Sequence, residues 1–294
     1  MRLRILNINH ILLTAFLILS FQINIYSQGT DISRGKQPSL FVGLSLGPSQ
    51  SQIINIGTLS ISDLLANKKS SFFGFVDIGY FFSNYFGLSS GIGYTSYNTQ
   101  LTLSTYQNTP FGTTDSENEA YKRSVSGSDI KEIQKISFLS IPFCINFRLP
   151  FNKTIGFYLQ SGVNLAITLN RNYVSSGTFS YTGYYPEYNV TLENLPQYGF
   201  SSNVSISKDG ELELKSLVFN AIASAGFDFF IQKKIQFAIA AYFNKSLSNI
   251  SGYSSPDKFQ LSSEINQINS MMGGTSKATT QSVGLRLSIR YYLK

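Results

Sequence analysis

Six charged residues fall on the polar side of otherwise apolar alternating segments: Asp77, Arg148, Asp228, Arg286, Arg290 and Lys294. An ion held away from water is costly unless an opposite charge lies beside it. The two acids are therefore expected to meet the arginines in one interior charge network of Asp77, Arg148, Asp228, Arg286 and Arg290. Such a network suits either a gated path for ions or the structural filling of a narrow interior. A second group, Tyr181, Tyr184, Tyr185 and Tyr188, lies in a stretch rich in Tyr, Ser and Gly. That mixture is common on recognition surfaces, where Tyr gives contact area at low entropic cost. It predicts a loop that binds a partner protein, glycan or peptide; the alternative is a strand extension with solvated tips.

Other chemistry is poorly supplied. The chain has one histidine, His10, and one cysteine, Cys144. A nucleophilic serine normally needs a neighbouring base, most often His, and no Cys or His cluster is available for a metal. No catalytic residue, metal site or cofactor is assigned, and the protein is read as a non-enzyme. Cys144 is expected to be a buried, inert small residue. Gly91 and Gly93 lack the third glycine and the helix of a phosphate loop. Met271–Gly274 reads as a flexible turn. The basic residues form no stripe, so nucleic acid is not an expected partner.

The elements that must carry these residues show a period of two. In 155–170, Ile155, Phe157, Leu159, Ser161, Val163, Leu165, Ile167 and Leu169 alternate with Gly156, Tyr158, Gln160, Gly162, Asn164, Ala166, Thr168 and Asn170, one face almost wholly apolar and the other small or polar. Successive side chains of a strand point to opposite faces, so this is a two-sided strand. The same pattern recurs at 40–47, 72–82, 86–97, 136–149, 217–231, 235–244 and 283–294. Most of these segments exceed the ~5–6 residues of an average strand and suit the ~9–11 of a membrane-spanning one. Their polar sides are small and neutral rather than rich in Lys and Glu, as the interior of a narrow barrel requires.

Connection lengths alternate as well. Short turns at 83–85, 150–153 and 232–234 separate long connections at 49–71, 104–134, 175–214 and 252–277. Short periplasmic turns and long outer loops mark outer-membrane barrels. The expected fold is all-β: an eight-stranded antiparallel up-and-down transmembrane barrel over 38–294, closed by pairing 40–47 with 284–294. Eight strands leave room for side chains or one small ligand, not a wide pore. Two other readings stay open: a narrow small-solute or ion channel gated by the interior charges, and a secreted soluble barrel holding a ligand.

Composition agrees with this reading. Of 294 residues only 13% are charged, 43% are hydrophobic and 14% aromatic. Arg2 and Arg4 precede an apolar run from Ile11 to Phe21, then a polar stretch ending at Ser27. A basic, then apolar, then small-residue order predicts a cleaved signal peptide over 1–27, followed by a short periplasmic segment at 28–37. The formal charge of +7 then falls to +5 with the loss of both arginines. The expected location is the outer membrane of a Gram-negative cell, with its lipid as the first partner.

Two motifs carry a family resemblance. The run Phe138-Leu139-Ser140-Ile141-Pro142-Phe143-Cys144-Ile145-Asn146-Phe147-Arg148-Leu149 and the terminal Gly284-Leu285-Arg286-Leu287-Ser288-Ile289-Arg290-Tyr291-Tyr292 resemble the PorT-like outer-membrane β-barrel domain. The resemblance implies an outer-membrane barrel, with envelope or protein-secretion machinery as a partner. Pro142 removes a ladder donor, so a bulge or kink is expected there.

Overall fold

In the computed structural model, residues 40–56, 64–108, 110–231, 234–253 and 259–293 are described. The expected signal peptide, the 28–37 segment, His10, Lys233 and Lys294 lie outside them. The alternating segments form strands β1 (Leu40–Ile56), β2 (Leu65–Phe81), β3 (Phe86–Gln107), β4 (Phe111–Thr114), β5 (Ala120–Pro150), β6 (Ile155–Tyr185), β7 (Val190–Leu192), β8 (Ser201–Glu211), β9 (Leu217–Ile231), β10 (Ile235–Ser246) and β11 (Lys277–Leu293). Eight of them close a ring in the order β1-β2-β3-β5-β6-β9-β10-β11, with β11 antiparallel to β1. The closing register is Leu40↔Leu293 through Leu46↔Leu287, so the two segments expected to close the barrel do pair.

The burial pattern inverts that of a soluble barrel. Leu44, Val76, Ile92, Phe143, Val163, Phe227, Ile239 and Leu287 are exposed on the outer wall, while Asp77, Arg148, Gln160, Asn164, Asp228, Arg286 and Arg290 are buried inside. In water such a wall would be unstable; in lipid it gains the full transfer energy of its apolar surface. This excludes the soluble ligand-holding barrel, whose apolar residues would face inward. The turns at the expected periplasmic end are set by local side chains. Asn152 Oδ1 accepts from the Thr154 and Ile155 amides, and Ser83 Oγ from those of Tyr85 and Phe86, which are Asx and Ser turns.

Two sequence expectations need correction. The long connections are not loops throughout: β3, β5 and β6 run far past the apolar belt, and β4, β7 and β8 pair onto β5 and β6 there. The strand-extension alternative therefore holds over much of 104–134 and 175–214. Polar alternation in these stretches hid strands whose outer face is solvated rather than greasy. Pro142 also makes no bulge. It stays in register with Asn164 of β6, and only its ladder to β3 lapses, opposite Gly91 and Ile92, before resuming unshifted. The nearby register shift lies at Ser137/Phe138. One missing donor can be left facing a gap without inserting a residue.

Closure can be tested by cross-linking. Leu44 and Ile289 are direct partners on the outer wall, so Leu44→Cys with Ile289→Cys is expected to oxidise to an intramolecular disulfide in the folded barrel. Leu44→Cys with Leu287→Cys, one repeat out of register, is expected to stay reduced because its Cα separation exceeds ~7 Å. Non-reducing gel mobility distinguishes the two.

Candidate functional site

The charges predicted for the interior do meet there. Arg148 near the end of β5 forms a two-pronged ion pair with Asp228 of β9, Nε to Oδ2 at 2.7 Å and Nη2 to Oδ1 at 2.9 Å. The pair reaches across β6, where Gly156 lies between the partners; a Cβ there would come within 2.9 Å of Asp228 Oδ1 and 3.0 Å of Arg148 Nη2. The second pair, Arg286 of β11 with Asp77 of β2 at 2.8 Å, likewise skips a strand. Ser45 of β1 stands between them, accepting from Arg286 at 2.7 Å and donating to Asp77 at 3.3 Å. Arg286 also donates to Gln160.

Arg290 has no carboxylate partner among the described residues, leaving three guanidinium groups against two carboxylates. It donates to Tyr158 Oη at 2.6 Å and Asn146 Oδ1 at 3.4 Å. Its guanidinium carbon lies 4.7 Å from the Phe41 ring centre and 4.5 Å from that of Tyr158. Two cation–π contacts, each worth about 0.5–2 kcal/mol, offset part of its lost hydration. Single-sequence reading missed the neutral members: Gln236 donates to Asp228 at 2.6 Å, Tyr292 to Gln236 at 2.9 Å, and Asn146 and Gln160 to Ser89. All lie on the inward parity of their strands, and that parity was the available signal. Cys144 is buried, as expected.

Beyond this layer aromatic and apolar clusters share the lumen with buried neutral polar groups such as Asn164, Asn220 and Asn244. Phe73 stacks on Tyr242 with ring centres 3.8 Å apart. Tyr97, Ile53, Ile136, Phe138 and Val218 pack with Met272, and Leu101, Leu103, Ile130, Phe179 and Ile206 pack with Leu261, Ile268 and Met271. The described part of the last long connection thus folds into the barrel mouth. Met271–Gly274, expected to be a flexible turn, is a buried 3-10 turn capped by Ser270. Its anchor is Glu132 on the inner face of β5's outer part, which accepts from Ser270 Oγ at 2.7 Å, Met271 N at 2.7 Å and Gln134 Nε2 at 2.6 Å. The plug segment is irregular up to its 3-10 turn and carries no period that marks it in the sequence; the assignment of 104–134 to a loop hid Glu132.

The outer tyrosines divide. Tyr181 is fully buried and hydrogen-bonds Ser262 of the plug at 2.7 Å. Tyr185 is buried, stacks on Tyr121 at 5.1 Å and donates to Asp115 at 3.0 Å; burial and the adjacent carboxylate push its phenol up to about 12. Tyr184 is half-buried with its hydroxyl on Asn189. Tyr188 is exposed, as is Tyr198, which the sequence reading had not selected. Tyr181 and Tyr185 thus build the outer extension rather than its surface. Arg123 holds the same region, lying over the Tyr181 and Phe200 rings and donating to Gly199 O at 2.9 Å.

A closed ring of eight long strands with a greasy exterior and a polar, side-chain-filled base is an outer-membrane type of barrel. The chain belongs to the family described as outer membrane protein beta-barrel domain, whose model matches residues 27–252. Among solved structures it is similar to OprG from Pseudomonas aeruginosa (13% identity, covering 88% of this chain and 97% of that one, TM-score 0.37). It is also similar to Neisserial surface protein A (9%, 86% and 97%, 0.33). A third likeness is to Ail of Yersinia pestis in complex with the heparin analogue sucrose octasulfate (12%, 86% and 99%, 0.27). No curated protein matches the sequence.

Removing one partner of a buried pair strands the other charge, a loss of about 3–5 kcal/mol, whereas replacing both is far milder. Asp228→Asn is therefore expected to lower unfolding stability by about that amount in urea titrations of the detergent-folded barrel. Arg148→Met with Asp228→Leu is expected to recover most of it.

Burial raises the Glu132 carboxyl above 4.5, against the opposing hydrogen bonds of Met271, Gln134 and Ser270. A carboxyl raised on folding favours the folded form below its unfolded value and loses that contribution as pH rises through the folded value. Plug docking is thus expected to weaken as pH climbs from 4.5, read by protease cleavage within 259–276. Glu132→Gln is expected to flatten this dependence.

Proposed function

We propose that this outer-membrane barrel does structural and interaction work, not catalysis or conduction, and that its outer extension is the contact surface. One observation carries the reading: the lumen is packed from the ion pairs at its base to the plug at its mouth. A path for solute would have to part the buried ion pairs at the base and also expel the plug at the mouth. The exposed Tyr188, in the tight turn between β6 and β7, and Tyr198, in the short 3-10 turn before β8, offer aromatic contact area at low ordering cost. The partner is a protein, glycan or peptide outside the cell, or a component of the envelope or secretion machinery. The Phe138–Leu149 and Gly284–Tyr292 motifs favour a PorT-like member and so the latter. Export through a signal peptide cleaved after Ser27 belongs to the same proposal.

In liposome-swelling assays with a small sugar, the wild type and Arg290→Ala are both expected to match protein-free vesicles; swelling above that background would replace this reading with the channel. On intact cells, Tyr188→Ala with Tyr198→Ala is expected to reduce cross-linked capture several-fold, while Tyr184→Phe leaves it unchanged.

A further inference from the structure

The outer wall carries a groove of about 390 Å³ where the apolar belt ends, lined by residues of β2, β3, β5 and β6. Two ladder faults flank it: β2 and β3 shift register between Lys68 and Phe73, and β5 and β6 shift at Ser137/Phe138. The parted strands are bridged by side chains. Ser96 Oγ accepts from Phe72 N at 3.0 Å and donates to Phe72 O at 2.9 Å, and Asn98 Nδ2 donates to Ser70 O at 2.8 Å.

The groove is amphipathic along the barrel axis. Its inner end is the exposed Phe72 ring stacked on Tyr94 at 5.2 Å. Its outer end is polar, with Asn98 opposite Lys135 and Ser137 opposite Asn170. Asn98 lies four residues outward of Tyr94, about 13 Å along the strand. Lys135 is exposed, and no lining residue is acidic. The neighbouring hollow differs, because its Arg171 is already paired with Glu211 at 3.1 Å.

We propose that this groove binds one outer-leaflet lipid whose headgroup is a net-anionic phosphomonoester. The phosphate sits at Lys135 within reach of the Asn98 and Ser137 side chains, and an acyl chain lies across Phe72 and Tyr94. A soluble anion would use only the outer end and leave the aromatic floor empty, so the occupant is a lipid and not free phosphate.

The test uses native mass spectrometry of the full, detergent-folded barrel offered equal amounts of diphosphoryl lipid A and dioleoylphosphatidylcholine. Heat-modifiable gel mobility first establishes that each variant is folded, separating failure of this site from failure of the barrel reading. The wild type is expected to retain lipid A preferentially. Lys135→Gln is expected to cut that retention about five-fold, the effect of one lysine at an anionic lipid surface. Lys245→Gln, another exposed lysine outside the groove, is expected to change nothing. Equal retention of the two lipids, no effect of Lys135→Gln, an equal effect of Lys245→Gln, or displacement of lipid A by millimolar inorganic phosphate would each overturn the proposal.

Discussion

A peptide group in hydrocarbon has no solvent to bond with, so every N–H and C=O of a membrane-spanning strand must find a partner in the protein. That demand joins β11 to β1 and leaves the belt without an edge. Once the ring is closed, side-chain direction follows from the pleat: one parity meets lipid and the other meets the lumen. The exposed leucines and phenylalanines and the buried arginines are two consequences of that single constraint. Pro142 and Pro48 are tolerated on the same terms, each facing a short lapse in one ladder while its other ladder continues.

An eight-stranded interior is narrow, and here two different materials fill it. Toward the periplasmic turns, charges satisfy one another across intervening strands, with Gly156 leaving room for the Arg148–Asp228 contact. Toward the outside, apolar clusters interleaved with neutral polar side chains take over and are completed by a connection that folds inward. Glu132 links the two styles, since a buried carboxylate holds an otherwise greasy plug by accepting from its backbone and its cap.

The outer extension gains its order from pairing rather than from lipid. β4, β7 and β8 add strands to β5 and β6 beyond the belt, and Asn118 and Asn189 take left-handed conformations at two of the tight connections, a geometry Asn tolerates well. Tyr121, Tyr185 and Phe200 form a small core there. A surface built this way presents few side chains, but in fixed positions.

Alternation alone determined the number of belt strands, the parity of Asp77, Arg148, Asp228, Arg286 and Arg290 and the outward face of Leu287 and Phe227, because a period of two is local to each strand; the intolerance of lipid for an open edge added that the first strand pairs with the last. Partner choice was not local. That Arg148 takes Asp228, Arg286 takes Asp77 and Arg290 rests between two rings depends on which strands become second neighbours around the ring. The burial of Tyr181 and Tyr185, the inward fold of the last connection and the parted ladders at Phe72 and Ser137 were likewise decided by tertiary structure. Outside the membrane both faces of a strand can be polar, and the period that betrays a strand in lipid fades.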